Sequence, residues 1–166
     1  FELRIMEKLY GKDVADMLAI IEFQELEAEI KEMDEGDYPN DSFLKIDLSG
    51  RNPDDGMTTI PYVKGAFFLK TLEELAGREK FDVFMKSYFK KFQFKTVTTE
   101  DFIQFLDYQL LKPNKLKFNT NEWIYERGIP KNCVRIESER LDGAEKMAKD
   151  LVAGKDIFKI KKKNKI

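Results

Sequence analysis

Apolar residues along the chain recur mostly at helical spacing. Ile5, Met6 and Leu9 sit three and four positions apart, which predicts a helix over 1–10 that Gly11 ends. Asp13 is the candidate cap of a second helix over 14–33, where Met17, Leu18, Ile21, Phe23, Leu26 and Ile30 follow the same period. Glu22, Glu25, Glu27, Glu29 and Glu32 cover its other faces and read as a solvated acidic surface. Residues 34–56 break the pattern with turn formers (DEGDYPND, then RNPDDG), leaving Phe43, Leu44, Ile46 and Leu48 as one short extended segment. A loop of this length inside a helical domain is uncommon and often functional.

Three more helices follow. One spans 61–76, with Thr59 as candidate cap, Pro61 in the first turn and Gly77 as its stop. Phe67, Phe68, Leu72 and Leu75 on it are expected to bury against Phe81, Phe84, Phe105 and Leu106. The next runs from about Glu79 to Phe92. The third opens at TTED, where Thr98 and Asp101 stand in a capping-box spacing ahead of the stripe Phe102, Ile103, Phe105, Leu106 and Leu110. A basic loop (112–117), a helical turn around Trp123, an extended linker (131–139) and a lone helix (141–152) complete the order. The strongly basic run Lys159–Ile166 reads as a solvated or frayed end, with phosphate or membrane binding as the other reading of such a tail.

Composition narrows the chemistry. The chain has 166 residues, enough for one domain of ordinary size, and its net charge of −2 gives no global reason to expect nucleic acid. Cys133 is the only cysteine, so neither an intrachain disulfide nor a multi-cysteine metal site can form. No apolar run is long enough to span a bilayer. Histidine is absent, which removes the usual base at neutral pH, the usual zinc ligand, and any Ser-His-Asp triad, Cys-His pair or HExxH helix within this chain.

Two stretches combine features that a core alone does not demand. In Gly56–Gly65 (GMTTIPYVKG), Pro61 sets the helix start and Tyr62 falls in the first turn, where free amides and the helix dipole favour negative charge. A tyrosine hydroxyl there, with an ordinary pKa near ~10, is a neutral donor suited to a developing oxyanion, or simply a packing residue. Gly65 leaves room for another backbone to approach. Just before it, Asn52-Pro53-Asp54-Asp55 sets two carboxylates near the same helix mouth. They suit a cation or a substrate amine, or form only a polar turn.

The order of these pieces resembles the helical part of the gluzincin zinc aminopeptidases, nearest to the leukotriene hydrolase and aminopeptidase B branch. In that family a V-P-Y-E-K-G segment opens a helix ending L-E. An aromatic helix with a K-F-x-Y/F-K exit, a T-T-x-D/E-[FW] helix start and a W-[IL]-Y-x-x-G-[LIY]-P segment then follow. The counterparts here are Ile60–Gly65, Leu72-Glu73, Lys91–Lys95, Thr98–Phe102 and Trp123–Pro130, and the match covers most of 1–130. The resemblance implies a thermolysin-like catalytic domain whose HExxH and downstream glutamate bind zinc and whose GxMEN-type loop holds the substrate amine. None of these motifs is in this chain. The opening FELRI resembles the segment after the third zinc ligand, and helix 1–10 lacks a start signal. The expectation is a fragment cut just downstream of the metal site, binding no zinc and inactive by itself.

By the same resemblance Tyr62 is the catalytic tyrosine, donating a hydrogen bond to the zinc-bound tetrahedral intermediate. Asp54 resembles the aspartate lining the substrate pocket. Val63 replaces the usual glutamate and Met57 a second tyrosine of the hydrolase, departures that bear on epoxide hydrolysis and not on peptide hydrolysis. The expected fold is mainly α: residues 1–130 as the helical lobe of the catalytic domain, and 131–166 as the start of a C-terminal helical-repeat domain. Expected partners are peptide substrates and the missing N-terminal part of the catalytic domain. A second reading, a non-catalytic helical interaction module of the same ancestry, stays open, as does the compartment.

Overall fold

The computed structural model describes residues 1–155, so the basic run Lys159–Ile166 lies outside the described residues. The fold is mainly α, with no strand among the described residues. Its α-helices are α1 (Glu2–Tyr10), α2 (Lys12–Glu35), α3 (Gly65–Ala76), α4 (Arg78–Phe92), α5 (Thr99–Leu106), α6 (Thr120–Ile124) and α7 (Glu139–Val152). Two π turns, Ile60–Lys64 and Asp107–Leu111, run directly into α3 and out of α5. No described helix is long and apolar enough to cross a membrane.

The chain divides into two compact units. One comprises Phe1–Glu22 and residues 135–155. In it Gly11 ends α1 with a positive φ of 91°, a conformation that costs a side-chain-bearing residue more than glycine. Asp13 does not cap α2, because the helix already begins at Lys12 and Asp13 lies inside its first turn. Ser138 caps α7, its side chain accepting the Leu141 N–H at 3.3 Å.

The other unit is Phe23–Val134, and it contains the aromatic core. Phe67 and Phe68 on α3, Phe81 and Phe84 on α4, and Phe105 and Leu106 on α5 are buried as the periodicity predicts. Phe68 meets Phe118 and Trp123 at ring-centroid distances of 5.7 and 5.5 Å, while Phe84 meets Phe105 at 5.6 Å. Phe67 instead packs on Phe23 of α2 at 4.7 Å. Each buried ring contributes about 1.5–3 kcal/mol by leaving water, and a well-placed ring pair adds about 0.5–1.5 kcal/mol.

Several expected core positions fall elsewhere. Leu75 is 42% exposed, because the last turn of α3 turns Ala76 inward in its place. On α2 the buried positions are Ala15, Ala19, Phe23, Leu26 and Ile30, and the larger Leu18 and Ile21 lie outside that stripe. The segment 43–48 forms no strand. It is irregular chain between short 3-10 turns at Pro39–Ser42 and Pro53–Gly56, tied to α6 by the Lys45 N–H donating to the Ile124 carbonyl at 3.1 Å.

Local signals that work without distant partners are realised. Thr98 accepts the Asp101 N–H at 3.1 Å while Asp101 accepts the Thr98 N–H at 3.1 Å, a complete capping box. Asn119 caps α6, and Trp123 within it is fully buried with its indole N–H donating to Asn132 Oδ1 at 3.1 Å. Buried Thr71 donates to the Phe67 carbonyl at 2.8 Å and accepts the Val134 N–H at 3.1 Å, fastening the segment after α6 onto α3.

Candidate functional site

The helix carrying Tyr62 starts as a π turn rather than an α turn. The Gly65 N–H reaches five residues back to the Ile60 carbonyl, so Ile60–Lys64 holds one residue more than an α turn would. Pro61 has no N–H to offer. The Thr59 carbonyl accepts both the Tyr62 N–H at 3.1 Å and the Val63 N–H at 2.7 Å. Ile60 points into the core and Tyr62 points out, 72% exposed, with its hydroxyl in no hydrogen bond among the described residues. Single π turns within α-helices are rare and concentrate at functional sites.

The turn is held from beneath by Lys64, which is fully buried. Its ammonium donates to the Ser42 carbonyl at 2.6 Å and to the Glu126 carbonyl at 3.1 Å. Burial disfavours the charge and pushes the Lys64 pKa from its ordinary 10.5 down to about 8. Ser42, also fully buried, accepts the Gly128 N–H on its hydroxyl at 3.2 Å. The chain after α6 and the Pro39–Ser42 turn therefore converge on Lys64.

Thr59 does not cap this turn with its own side chain. Glu29 of α2 instead holds Thr59 itself: its carboxylate accepts the Thr59 N–H at 3.2 Å and the Thr59 hydroxyl as well. The expectation of a wholly solvated acidic face on α2 is thus wrong at Glu29, which is half-buried, while Glu25 and Glu32 are exposed. No second backbone closes on Gly65 among the described residues either. A Cβ there would meet only the Leu44 side chain, at an ordinary 3.9 Å.

Asp54 and Asp55 share the exposed 3-10 turn Pro53–Gly56, capped by Asn52, whose side chain accepts the Asp54 N–H at 3.1 Å. The two carboxylates differ. Asp55 lies 3.5 Å from Arg51 Nε, whereas the Asp54 carboxylate makes no ion pair among the described residues. Arg51 anchors the loop: it donates to both oxygens of Asp41 at 2.8 and 2.7 Å and stacks on the Tyr38 ring at 3.9 Å. Hydrogen bonding to Asp41 raises the Arg51 pKa above its ordinary value. Tyr62 and Asp54 occupy consecutive turns, separated by Met57–Thr59, and no hydrogen bond joins them.

No group of three or more His, Cys, Asp or Glu side chains that could hold a metal occurs among the described residues. The residues present do not fit a catalytic zinc, which commonly needs three protein ligands around one open position. The arrangement offers instead an exposed neutral donor on a braced turn and a carboxylate on the preceding loop.

Of the two bracing residues, the sequence reading placed Glu29 on a solvated face and gave Lys64 no role of its own. Lys64 carried a signal, since Ile60, Lys64, Phe68 and Leu72 recur four apart and place a charge on the buried stripe. Glu29 carried none, being one of several acids spaced along α2.

A model of the Peptidase family M1 domain matches residues 1–123. Leucine aminopeptidase 2 of Lodderomyces elongisporus is 39% identical over 129 residues, covering 73% of this chain and 19% of that protein. Leucine aminopeptidase 2-2 of Scheffersomyces stipitis is 33% identical over 144 residues, covering 84% of this chain and 22% of that protein. Among solved structures, yeast LTA4 hydrolase in complex with bestatin superposes with a TM-score of 0.78 at 30% identity, over 89% of this chain and 24% of that one. The chain spans about a fifth of the length of the curated relatives it matches.

Proposed function

The chain belongs to peptidase family M1, and on that premise we propose that it is the helical part of the catalytic domain of a zinc aminopeptidase that removes N-terminal residues from peptides. In this reading residues 1–130 complete the catalytic domain and 131–166 begin the helical domain that follows. The partners are peptide substrates and the N-terminal part of the catalytic domain. M1 peptidases are zinc-dependent, and zinc supplies the Lewis acidity of the reaction when bound. Its ligands come from outside this chain, which has no histidine.

The role of this chain's own residues follows from Tyr62. Attack of water on the scissile carbonyl turns a neutral oxygen into an oxyanion. A phenol hydroxyl aimed at that oxygen binds it more strongly as charge develops, which lowers the barrier rather than tightening substrate binding. The observation that carries the reading is the exposed Tyr62 hydroxyl, without a partner among the described residues, on a π turn whose backbone is otherwise braced. Asp54, on the loop before it, lines the substrate pocket and acts on selectivity.

The test is steady-state kinetics of the intact protein. Tyr62→Phe lowers kcat by ~10²–10³, the usual result of removing one oxyanion donor, with zinc content and Tm unchanged. A kcat within about threefold of wild type, far short of that loss, makes Tyr62 a structural first-turn residue. By itself the chain binds no catalytic zinc and cleaves no aminoacyl substrate. Stoichiometric zinc by elemental analysis, with chelator-sensitive peptidase activity, would contradict that.

A further inference from the structure

The donors at the start of the Tyr62 turn are few. Pro61 has none, the Ile60 N–H reaches Thr58 Oγ at 3.3 Å, and the Tyr62 and Val63 N–H groups converge on the Thr59 carbonyl. The geometry of the turn therefore depends on where Thr59 is held. Two groups of Thr59 remain, its N–H and its hydroxyl, and both are taken by one carboxylate from a helix thirty residues upstream, Glu29.

We propose that Glu29 is a positioning residue: by gripping Thr59 at its N–H and hydroxyl, it fixes the residue whose carbonyl holds Tyr62 and Val63, and so sets where the Tyr62 phenol stands. Its negative charge also lies at the positive end of the helical run 60–76, where it is favoured. Charge-assisted bonds of this kind are stronger than those a neutral cap would make. Thr59, placed at the cap position, acts as the link between Glu29 and the turn. Lys64 restrains the same turn at its other end, through partners on different segments, so the two braces act independently.

The consequence for catalysis rests on the reading of Tyr62 above, whereas the brace itself does not, and two measurements separate them. In the 166-residue chain, amide hydrogen exchange is followed in wild type, Glu29→Ala and Glu29→Gln. Glu29→Ala speeds exchange at Thr59, Tyr62 and Val63 by roughly tenfold, the scale of a lost helix cap, while amides of Leu69–Leu72 keep their rates. Glu29→Gln retains an acceptor and falls between. Unchanged exchange at Tyr62 and Val63, or an equal rise throughout α3, overturns the brace.

In the intact protein Glu29→Gln lowers kcat while leaving KM in place. Added to Tyr62→Phe it lowers kcat no further, because Glu29 acts only through the hydroxyl already removed. Additive losses in the double variant overturn the link to catalysis. A Tyr62→Phe protein with undiminished kcat overturns the reading of Tyr62 instead, and the exchange data alone then decide the brace.

Discussion

Replacing Lys64 by methionine tests the buried brace directly, because the stem is conserved in length and only the ammonium is lost. Lys64 is fully buried and its Nζ holds the Ser42 and Glu126 carbonyls. Hydrogen bonds from a charged donor contribute about 1.5–3 kcal/mol each, so their loss costs roughly 3–6 kcal/mol. That cost is already net of removing the ammonium from water, and the same burial is what lowers the Lys64 pKa from 10.5 to about 8.

The pH dependence is the sharper test. Below pH 8 both folded and unfolded wild type hold the Lys64 proton, so this residue adds no slope. Between about 8 and 10.5 the unfolded chain holds a proton that the folded chain has shed, so wild-type stability gains up to about 1.4 kcal/mol per pH unit from this group. Methionine has no such gain. The gap between wild type and Lys64→Met therefore widens by about 2 kcal/mol from pH 7 to pH 9.5, and the other titrating groups, common to both, cancel in the difference. Urea unfolding followed by fluorescence of the single tryptophan, Trp123, measures it at each pH. Parallel stability curves across that range would show that Lys64 pays no burial penalty and that the argument from its environment is wrong.

Asp54→Asn in the intact protein changes kcat less than Tyr62→Phe does and shifts the ranking of aminoacyl substrates; an unchanged ranking removes Asp54 from the pocket. Thr98→Ala breaks the capping box of α5 and lowers Tm by about 2–4 °C, read by circular dichroism. Thr71→Val keeps the shape but strands the Val134 N–H, costing about 1–3 kcal/mol in urea unfolding. A neutral result there would mean that the 133–134 segment is held to α3 by packing alone.

What the sequence by itself determined is local. Glycine stops at Gly11 and Gly77, the Thr98–Asp101 box, the helical turn around Trp123 and the aromatic period of α3 to α5 each depend on residues within a turn or two. Such signals survive without knowledge of the fold. The ordered motifs ending at Trp123–Pro130 were legible for the same reason, and the match to peptidase family M1 bears out the resemblance they carried. The tertiary structure decided what depends on distant partners. Periodicity marks a stripe but not which half of it meets a neighbour, so Leu18, Ile21 and Leu75 turned outward while Ala15, Ala19 and Ala76 were buried. A carboxylate on α2 looks the same at Glu25, Glu29 and Glu32 until Thr59 arrives beside one of them. The Lys64 ammonium is bearable inside only because two carbonyls, 22 and 62 residues away, converge on it. Buried polar groups need their partners in place, and only the folded chain can bring together residues so far apart along it.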